Sequence, residues 1–184
     1  MSATGRALCI PMLALVGVAL TVPLLAAQPP RLIVKLRASP TQVALDTVAL
    51  AREQVPATPA ETFAALRAVY EELKIPRTVD DSAHGQLGTL RLVRTSSLAG
   101  ERMAAYLNCG SGMTGAYADS WRITMGIASF VRTARDGSTT VATGFVAQAD
   151  DMDGASKEPI MCGSTGVLET RIASRVKERI ATGR

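Results

Sequence analysis

The chain has 184 residues, of which 47% are hydrophobic and 20% are charged, a composition typical of a globular protein rather than a disordered one. The formal net charge is +4, and aromatic residues make up only 4% of the chain. These values argue against a nucleic-acid-binding protein and against an aromatic-lined groove for sugars or peptides. At this length we expect one domain with a substantial core.

The chain begins with the pattern of an export signal. An apolar run over residues 7–27 follows Arg6 and ends in small residues before Gln28. We therefore predict a signal peptide over residues 1–27 and an exported protein, periplasmic or extracellular. The run is also long enough to cross a bilayer, so an uncleaved signal anchor in the inner membrane is the alternative.

The next segment, 28–46, contains prolines and basic residues. Arg31 to Arg37 alternates well enough to form a strand, but we predict that the segment is a linker, so the domain is expected over 47–182. Alternation of larger and smaller residues predicts a strand from Thr47 to Val55. The sequence Thr58-Pro59-Ala60-Glu61 combines a capping threonine, a proline at the first helical position and a glutamate that closes a capping box. It predicts a helix that ends near Leu73.

Three further elements are predicted around the middle of the chain and at its end. Residues 80–85 are expected to form a turn before a strand over 87–94, and a helix is predicted over 98–107. A final helix is predicted after Cys162, because apolar residues recur there at every fourth position. These residues are Leu168, Ile172, Val176 and Ile180.

A long hairpin is predicted between these elements. Apolar and polar residues alternate from Trp121 to Val131, and Asp136-Gly137 favours a two-residue type I′ turn. With those two residues at the turn, Ile127 pairs with Val146, and both are expected on the core face. Helices and strands that follow no regular βαβ order indicate an α+β fold. We expect two layers, an antiparallel sheet of about four to five strands with two or three helices on one face.

Two cysteines, Cys109 and Cys162, remain once the predicted signal peptide is removed together with Cys9. An even number of cysteines in an exported chain predicts a disulfide bond. The pair lacks the Cys-x-x-Cys spacing of redox-active sites, so we expect a structural bond. It is expected to join the end of the middle helix to the start of the last one.

The only histidine, His84, follows Asp80 and Asp81. An imidazole beside two carboxylates suggests a metal-dependent hydrolase, and adding Cys109 and Cys162 would complete a zinc ligand set. One histidine in a sequence typical of turns instead favours an exposed turn. We therefore predict no catalytic residue, metal or cofactor, and keep the hydrolase as a weaker alternative.

The last helix carries basic residues that could form a binding surface. Arg171, Arg175 and Arg179 recur at every fourth position, and Lys177 lies beside them. Such a ridge could contact an acidic partner or an anionic lipid surface. The alternative is a solvated face whose cations form ion pairs with Glu169 and Glu178.

Three segments resemble those of a group of uncharacterised exported bacterial envelope proteins: Thr62 to Leu73, Tyr106 to Cys109 and Gly166 to Arg171. The resemblance covers roughly residues 47–180. In outline the order of elements is also similar to the helix-grip-like repeats of BamC-type envelope lipoproteins, although this chain lacks their lipobox. The resemblance implies a small α+β domain of the cell envelope and assigns no catalytic residue.

These observations lead to a hypothesis of a non-enzymatic exported envelope protein, a binding or scaffolding module in the periplasm. Its partner would be another envelope protein or an anionic lipid surface, and the sequence indicates no oligomeric state. A carrier of a small apolar ligand is the alternative. Its cavity would lie between the sheet and the C-terminal helix, lined by Met125, Ile127 and Ile172.

Overall fold

The computed structural model describes residues 30–49, 52–152, 154, 156 and 158–183, so the predicted signal peptide lies outside the described residues. The helices are α1 (Leu45–Val48), α2 (Pro59–Glu72), α3 (Met103–Tyr106), α4 (Tyr117–Ser120) and α5 (Val167–Thr182). The strands are β1 (Ile33–Val34), β2 (Val43–Ala44), β3 (Arg52–Val55), β4 (Val79–Asp81), β5 (Gln86–Thr95), β6 (Ser97–Leu98), β7 (Glu101–Arg102), β8 (Leu107–Asn108), β9 (Ser111–Gly112), β10 (Gly115–Ala116), β11 (Arg122–Thr133), β12 (Thr139–Asp150) and β13 (Ile160–Ser164).

Helix α2 begins where the capping sequence predicts. The backbone N–H of Glu61 donates to Thr58 Oγ1 at 3.3 Å, and the backbone N–H of Thr58 donates to Glu61 Oε2 at 2.9 Å. This reciprocal pair satisfies two backbone donors that the first helical turn would otherwise leave unpaired. The helix ends at Glu72 with Leu73 as its C-cap, so the predicted helix is confirmed.

The main sheet is antiparallel and, within the described residues, has seven strands rather than the four to five expected. Its order is β4-β5-β11-β12-β13-β8, and β3 also pairs with β12. The underestimate arises at the ends of the sheet. There, β4, β8 and β13 span only two to five residues each and give little periodic signal.

Both faces of this sheet are covered, which corrects the two-layer expectation. On the first face, α2 and α5 pack over the main core, and Leu168, Ile172 and Val176 of the predicted α5 ridge are fully buried there. The second face is covered by residues 30–49, called here the N-terminal segment. Its buried side chains form a second core with Ala128, Phe130 and Val146.

The N-terminal segment differs from the linker predicted over 28–46, since its described part is packed against the sheet. Residues 31–37 alternate between exposed and buried, with Leu32, Val34 and Leu36 buried. β1 pairs with β2, and α1 then places Leu45 in the second core. The strand predicted from Thr47 is shorter than expected, because α1 occupies residues 45–48 and β3 begins at Arg52.

The β11–β12 hairpin forms as predicted, but with a different turn. Ala134 N donates to Ser138 O at 2.8 Å, and Gly137 N donates to Ala134 O at 3.0 Å. Gly137 has a φ of 83°, so the loop contains three residues and ends in a left-handed glycine. This is a type I turn followed by a glycine bulge, not the predicted two-residue type I′ turn.

The extra loop residue shifts the pairing by one position. Ile127 pairs with Phe145 rather than with Val146. Because successive side chains of a strand point to opposite faces, the shift moves every side chain of β12 to the other face. Phe145 therefore lies in the main core and Val146 in the second core, which corrects the predicted core face.

The helix predicted over 98–107 is reduced to the single turn α3. Ala99 and Gly100 both have positive φ angles, 50° and 82°, and they form the turn between β6 and β7. Met103, Tyr106 and Leu107 are buried, as expected for that segment. No helix in the described part of the chain is both long and apolar enough to span a bilayer.

Candidate functional site

The predicted disulfide bond between Cys109 and Cys162 is present. Cys162 lies on β13, and Cys109 directly follows β8, which pairs with β13 through Gly163 and Asn108. The bond therefore links two neighbouring strand segments rather than two helix ends, which corrects the predicted position. Because both sulfurs are oxidised, the two cysteines cannot supply thiolate ligands to a zinc ion.

The residues of the hydrolase alternative form two separate pairs. His84 Nδ1 lies 2.6 Å from Asp81 Oδ2, and the hydrogen bonds from His84 lower the pKa of the Asp81 carboxyl. The Asp80 carboxylate instead accepts from Arg67 on α2, with a shortest contact of 2.6 Å. Among the described residues, no three histidine, cysteine or acidic side chains are grouped as a metal site would require.

The basic residues of α5 all contact acidic side chains. Lys177 Nζ lies 2.7 Å from Glu53 Oε2, and Arg171 lies 3.9 Å from Glu101. Arg175 and Arg179 both reach Glu72, at 3.7 and 3.5 Å. The positive charge of this ridge is thus balanced locally, and its role as a surface for an anionic partner stays a prediction.

The side chains expected to line an apolar cavity are packed in the main core. Met125, Ile127 and Ile172 are each 0% exposed and belong to the same continuous cluster. They contribute to core packing, and the pockets described below are lined by other residues.

A groove of about 640 Å³ lies on the second face of the sheet, between the N-terminal segment and β5. Four cationic side chains line it, together with one carboxylate, that of Asp150. These groove cations are Lys35, Arg37, Arg91 and Arg122, and all four residues are exposed. We call this site the basic groove.

The alternation of the N-terminal segment builds one wall of the basic groove. Val34 and Leu36 point into the second core, so the intervening Lys35 and the following Arg37 remain at the surface. The close fit depends on Gly126 of β11, where an added Cβ would lie 2.3 Å from Val34 Cγ2. A residue without a side chain at this position lets β1 approach the sheet closely.

A β-bulge builds the opposite wall. Met125 pairs with Leu92 and Ile127 with Thr89, so two residues of β5, Leu90 and Arg91, lie opposite Gly126 alone. An extra residue changes the alternation of side chains along a strand. Both Leu90 and Arg91 line the basic groove.

The end of the groove nearest β12 is fixed by hydrogen bonds. Gln148 and Asp150 are 3% and 8% exposed, and Gln148 Nε2 donates to Asp150 Oδ2 at 2.9 Å. Ala38 N donates to Gln148 Oε1 at 3.0 Å, and Arg37 Nη1 lies 3.4 Å from Asp150 Oδ1. These contacts tie the N-terminal segment to the sheet and give Arg37 an acidic partner.

The other three groove cations have no acidic partner among the described residues. Within the described part of the chain, no ion pair involves Lys35, Arg91 or Arg122. Their positive charges converge on one concave surface and are available to a bound anion. Arginine suits this task, because its planar guanidinium donates two parallel hydrogen bonds to a carboxylate or a phosphate.

No protein-family model, curated protein or solved structure matches this chain. The resemblance to exported envelope proteins therefore stays a prediction.

Sequence reasoning missed the basic groove because its parts are far apart in the chain. The alternation of Leu32, Val34 and Leu36 with exposed residues was a usable signal for a packed strand at residues 31–37. Nothing in the sequence around Arg91 or Arg122 indicated that these residues face that strand. Only the pairing of β5 with β11 brings them together.

Proposed function

We propose that this protein is an exported, non-enzymatic binding module that holds an anionic ligand in the basic groove. The observation that carries the proposal is the contrast between two sets of cations. Those of α5 all have acidic partners, whereas Lys35, Arg91 and Arg122 share a groove with a single carboxylate that already contacts Arg37. Like charges held together without counter-ions favour the binding of an anion.

The disulfide bond supports the exported location. Such bonds form and persist in the periplasm and outside the cell, and they are rare in the reducing cytoplasm. The proposed compartment is the periplasm or the extracellular space, with the uncleaved signal anchor as the alternative. Intact-mass analysis of the protein isolated from its native envelope tests this. The expected species lacks residues 1–27 and carries no thiol that reacts with an alkylating reagent.

Binding of sodium tripolyphosphate at low ionic strength tests the groove itself, measured by isothermal titration calorimetry on the oxidised protein. The double substitution Arg91→Gln with Arg122→Gln removes two groove cations and should weaken binding at least about tenfold, equivalent to roughly 1.4 kcal/mol. The matched control is Arg175→Gln with Lys177→Gln, which removes the same charge from α5. Its affinity should stay within about twofold of the unsubstituted protein.

Equal weakening in both double variants would show that net charge alone attracts the probe. Absence of binding to the unsubstituted protein would likewise overturn the proposal. The urea midpoint of each variant shows whether its fold is retained, so that a loss of binding can be assigned to the groove.

A further inference from the structure

A second basic pocket adjoins the basic groove. Its volume is about 460 Å³, and it lies beside the loop between β6 and β7. Two residues, Val93 and Arg122, line both the pocket and the groove. The two depressions therefore adjoin at this end of β5, with Arg122 in the lining of both.

The second pocket adds two cations, Lys74 and Arg94, both exposed. In the described residues neither forms an ion pair, and Arg94 Nη1 donates only to the carbonyl oxygen of Val93, at 3.0 Å. The combined surface thus carries six cationic side chains and one carboxylate, that of Asp150. Arg122 lies where its two parts meet.

The shape of this surface suits an extended, chain-like ligand better than a membrane surface. Its apolar side chains are recessed, with Val34 and Leu36 each 3% exposed and Leu98 4% exposed. Val93, at 39%, is the one large apolar residue lining it that is exposed. A surface that inserts into a membrane places apolar side chains outward, where they enter the interface, and a recessed floor cannot insert in this way.

From this geometry we propose that the ligand is a linear polyanion, a chain with repeated phosphate or carboxylate charges that lies through the basic groove and the second pocket. This inference rests on the proposed function and specifies its ligand. Aromatic side chains are absent from the residues that line the two depressions, so the surface offers charge without stacking. A chain that reaches both parts gains from linked binding, because the second contact forms at high effective concentration.

The test compares sodium tripolyphosphate with a medium-chain polyphosphate on the full disulfide-bonded protein, at equal phosphate concentration. The longer chain should bind at least about tenfold more tightly, since it reaches both parts of the surface. The double substitution Lys74→Gln with Arg94→Gln should remove this length advantage and leave tripolyphosphate affinity within about twofold. Arg175→Gln with Lys177→Gln, with the same change in charge, should retain the advantage.

An oligogalacturonate of matched charge then shows whether the site prefers carboxylate or phosphate. Equal affinity for both polyphosphates, or a length advantage that survives Lys74→Gln with Arg94→Gln, would overturn the linear-polyanion inference and leave the anion-binding groove standing. Failure of both polyphosphates to bind would overturn the inference and the proposed function together. Binding to phosphatidylglycerol vesicles, with no binding to either polyphosphate, would also overturn both.

Discussion

At the scale of single residues, Gly126 controls how closely the N-terminal segment approaches the sheet. A Cβ at this position would lie within 3.3 Å of three side-chain atoms of Val34, the nearest at 2.3 Å. Val34 is 3% exposed, and Lys35 and Arg37 follow it directly in the same extended segment. Stability and the geometry of the basic groove therefore depend on the same glycine.

We expect Gly126→Ala to lower the free energy of unfolding by about 1–3 kcal/mol, the usual cost of overpacking a well-packed core. Gly163→Ala is the matched control, because the nearest atom to its added Cβ, Asn108 O, is 4.0 Å away. The control should change the free energy of unfolding by less than about 0.5 kcal/mol. Urea denaturation measures both, and equal effects would contradict the close contact with Val34.

The buried side chain of Tyr70 leads to a second prediction, on how the stability of the fold depends on pH. Its hydroxyl lies 2.9 Å from Ser129 Oγ, which lies 2.7 Å from Thr143 Oγ1, and all three residues are buried. Burial raises the pKa of Tyr70 well above its ordinary value. In the unfolded chain this phenol ionises near pH 10, whereas in the folded protein it stays neutral to higher pH.

The folded state therefore binds more protons than the unfolded state above about pH 10, and its stability falls as the pH rises further. The slope from this one group approaches about 1.4 kcal/mol per pH unit. Urea midpoints measured from pH 8 to 11 should show this fall in the unsubstituted protein. Tyr70→Phe should lack that component, and parallel curves for the two proteins would contradict the burial of the neutral phenol.

At the scale of elements, the N-terminal segment is the part whose contribution to the stability of the fold is most directly testable. Leu45 on α1 is 0% exposed in the second core, whereas Ile33 on β1 is 44% exposed. Leu45→Ala should destabilise the protein by about 2–5 kcal/mol, the range for truncating a buried leucine. Ile33→Ala, a substitution in the same segment, should cost less than about 0.5 kcal/mol. Equally small effects in urea denaturation would show that the segment behaves as a linker.

Elements with a complete local signal could be predicted from the sequence. The capping box places the start of α2 because its hydrogen bonds join residues three apart, and the α5 ridge needs only a repeat of four. The face that β12 presents could not be derived in this way. It depends on whether the loop around Gly137 has two or three residues, and Asp-Gly is compatible with both.

At the scale of the whole molecule, the α+β class and the cysteine pair followed from the sequence, but the covering of the second face did not. Residues 28–46 have a linker-like composition. The alternation over 31–37 signals a strand, but the packing of residues 30–46 on the sheet is evident only in the structure, where Gly126 and Gly144 lie beneath Val34 and Leu45. An added Cβ at Gly144 would lie 2.0 Å from Leu45 O. The basic groove is a consequence of that packing, so it could not be predicted from the sequence either.

The disulfide bond acts on the whole molecule because it joins Cys109, directly after β8, to Cys162 on β13 across 53 positions of sequence. In the chain-entropy account, a closed loop of this length stabilises the folded state by about 4 kcal/mol, through the freedom it removes from the unfolded chain. That is a large share of the roughly 5–15 kcal/mol typical of a domain. We expect reduction to lower the urea midpoint and the melting temperature markedly.

Urea denaturation with and without dithiothreitol measures the effect. The variant Cys109→Ala with Cys162→Ala is the control, since it should match the reduced protein in stability and show no further response to reductant. Because both cysteines are buried, at 5% and 7% exposure, alanine retains an apolar side chain at each position. An unsubstituted protein whose midpoint is the same in both conditions would show that strand pairing and the two cores hold the fold without the covalent link.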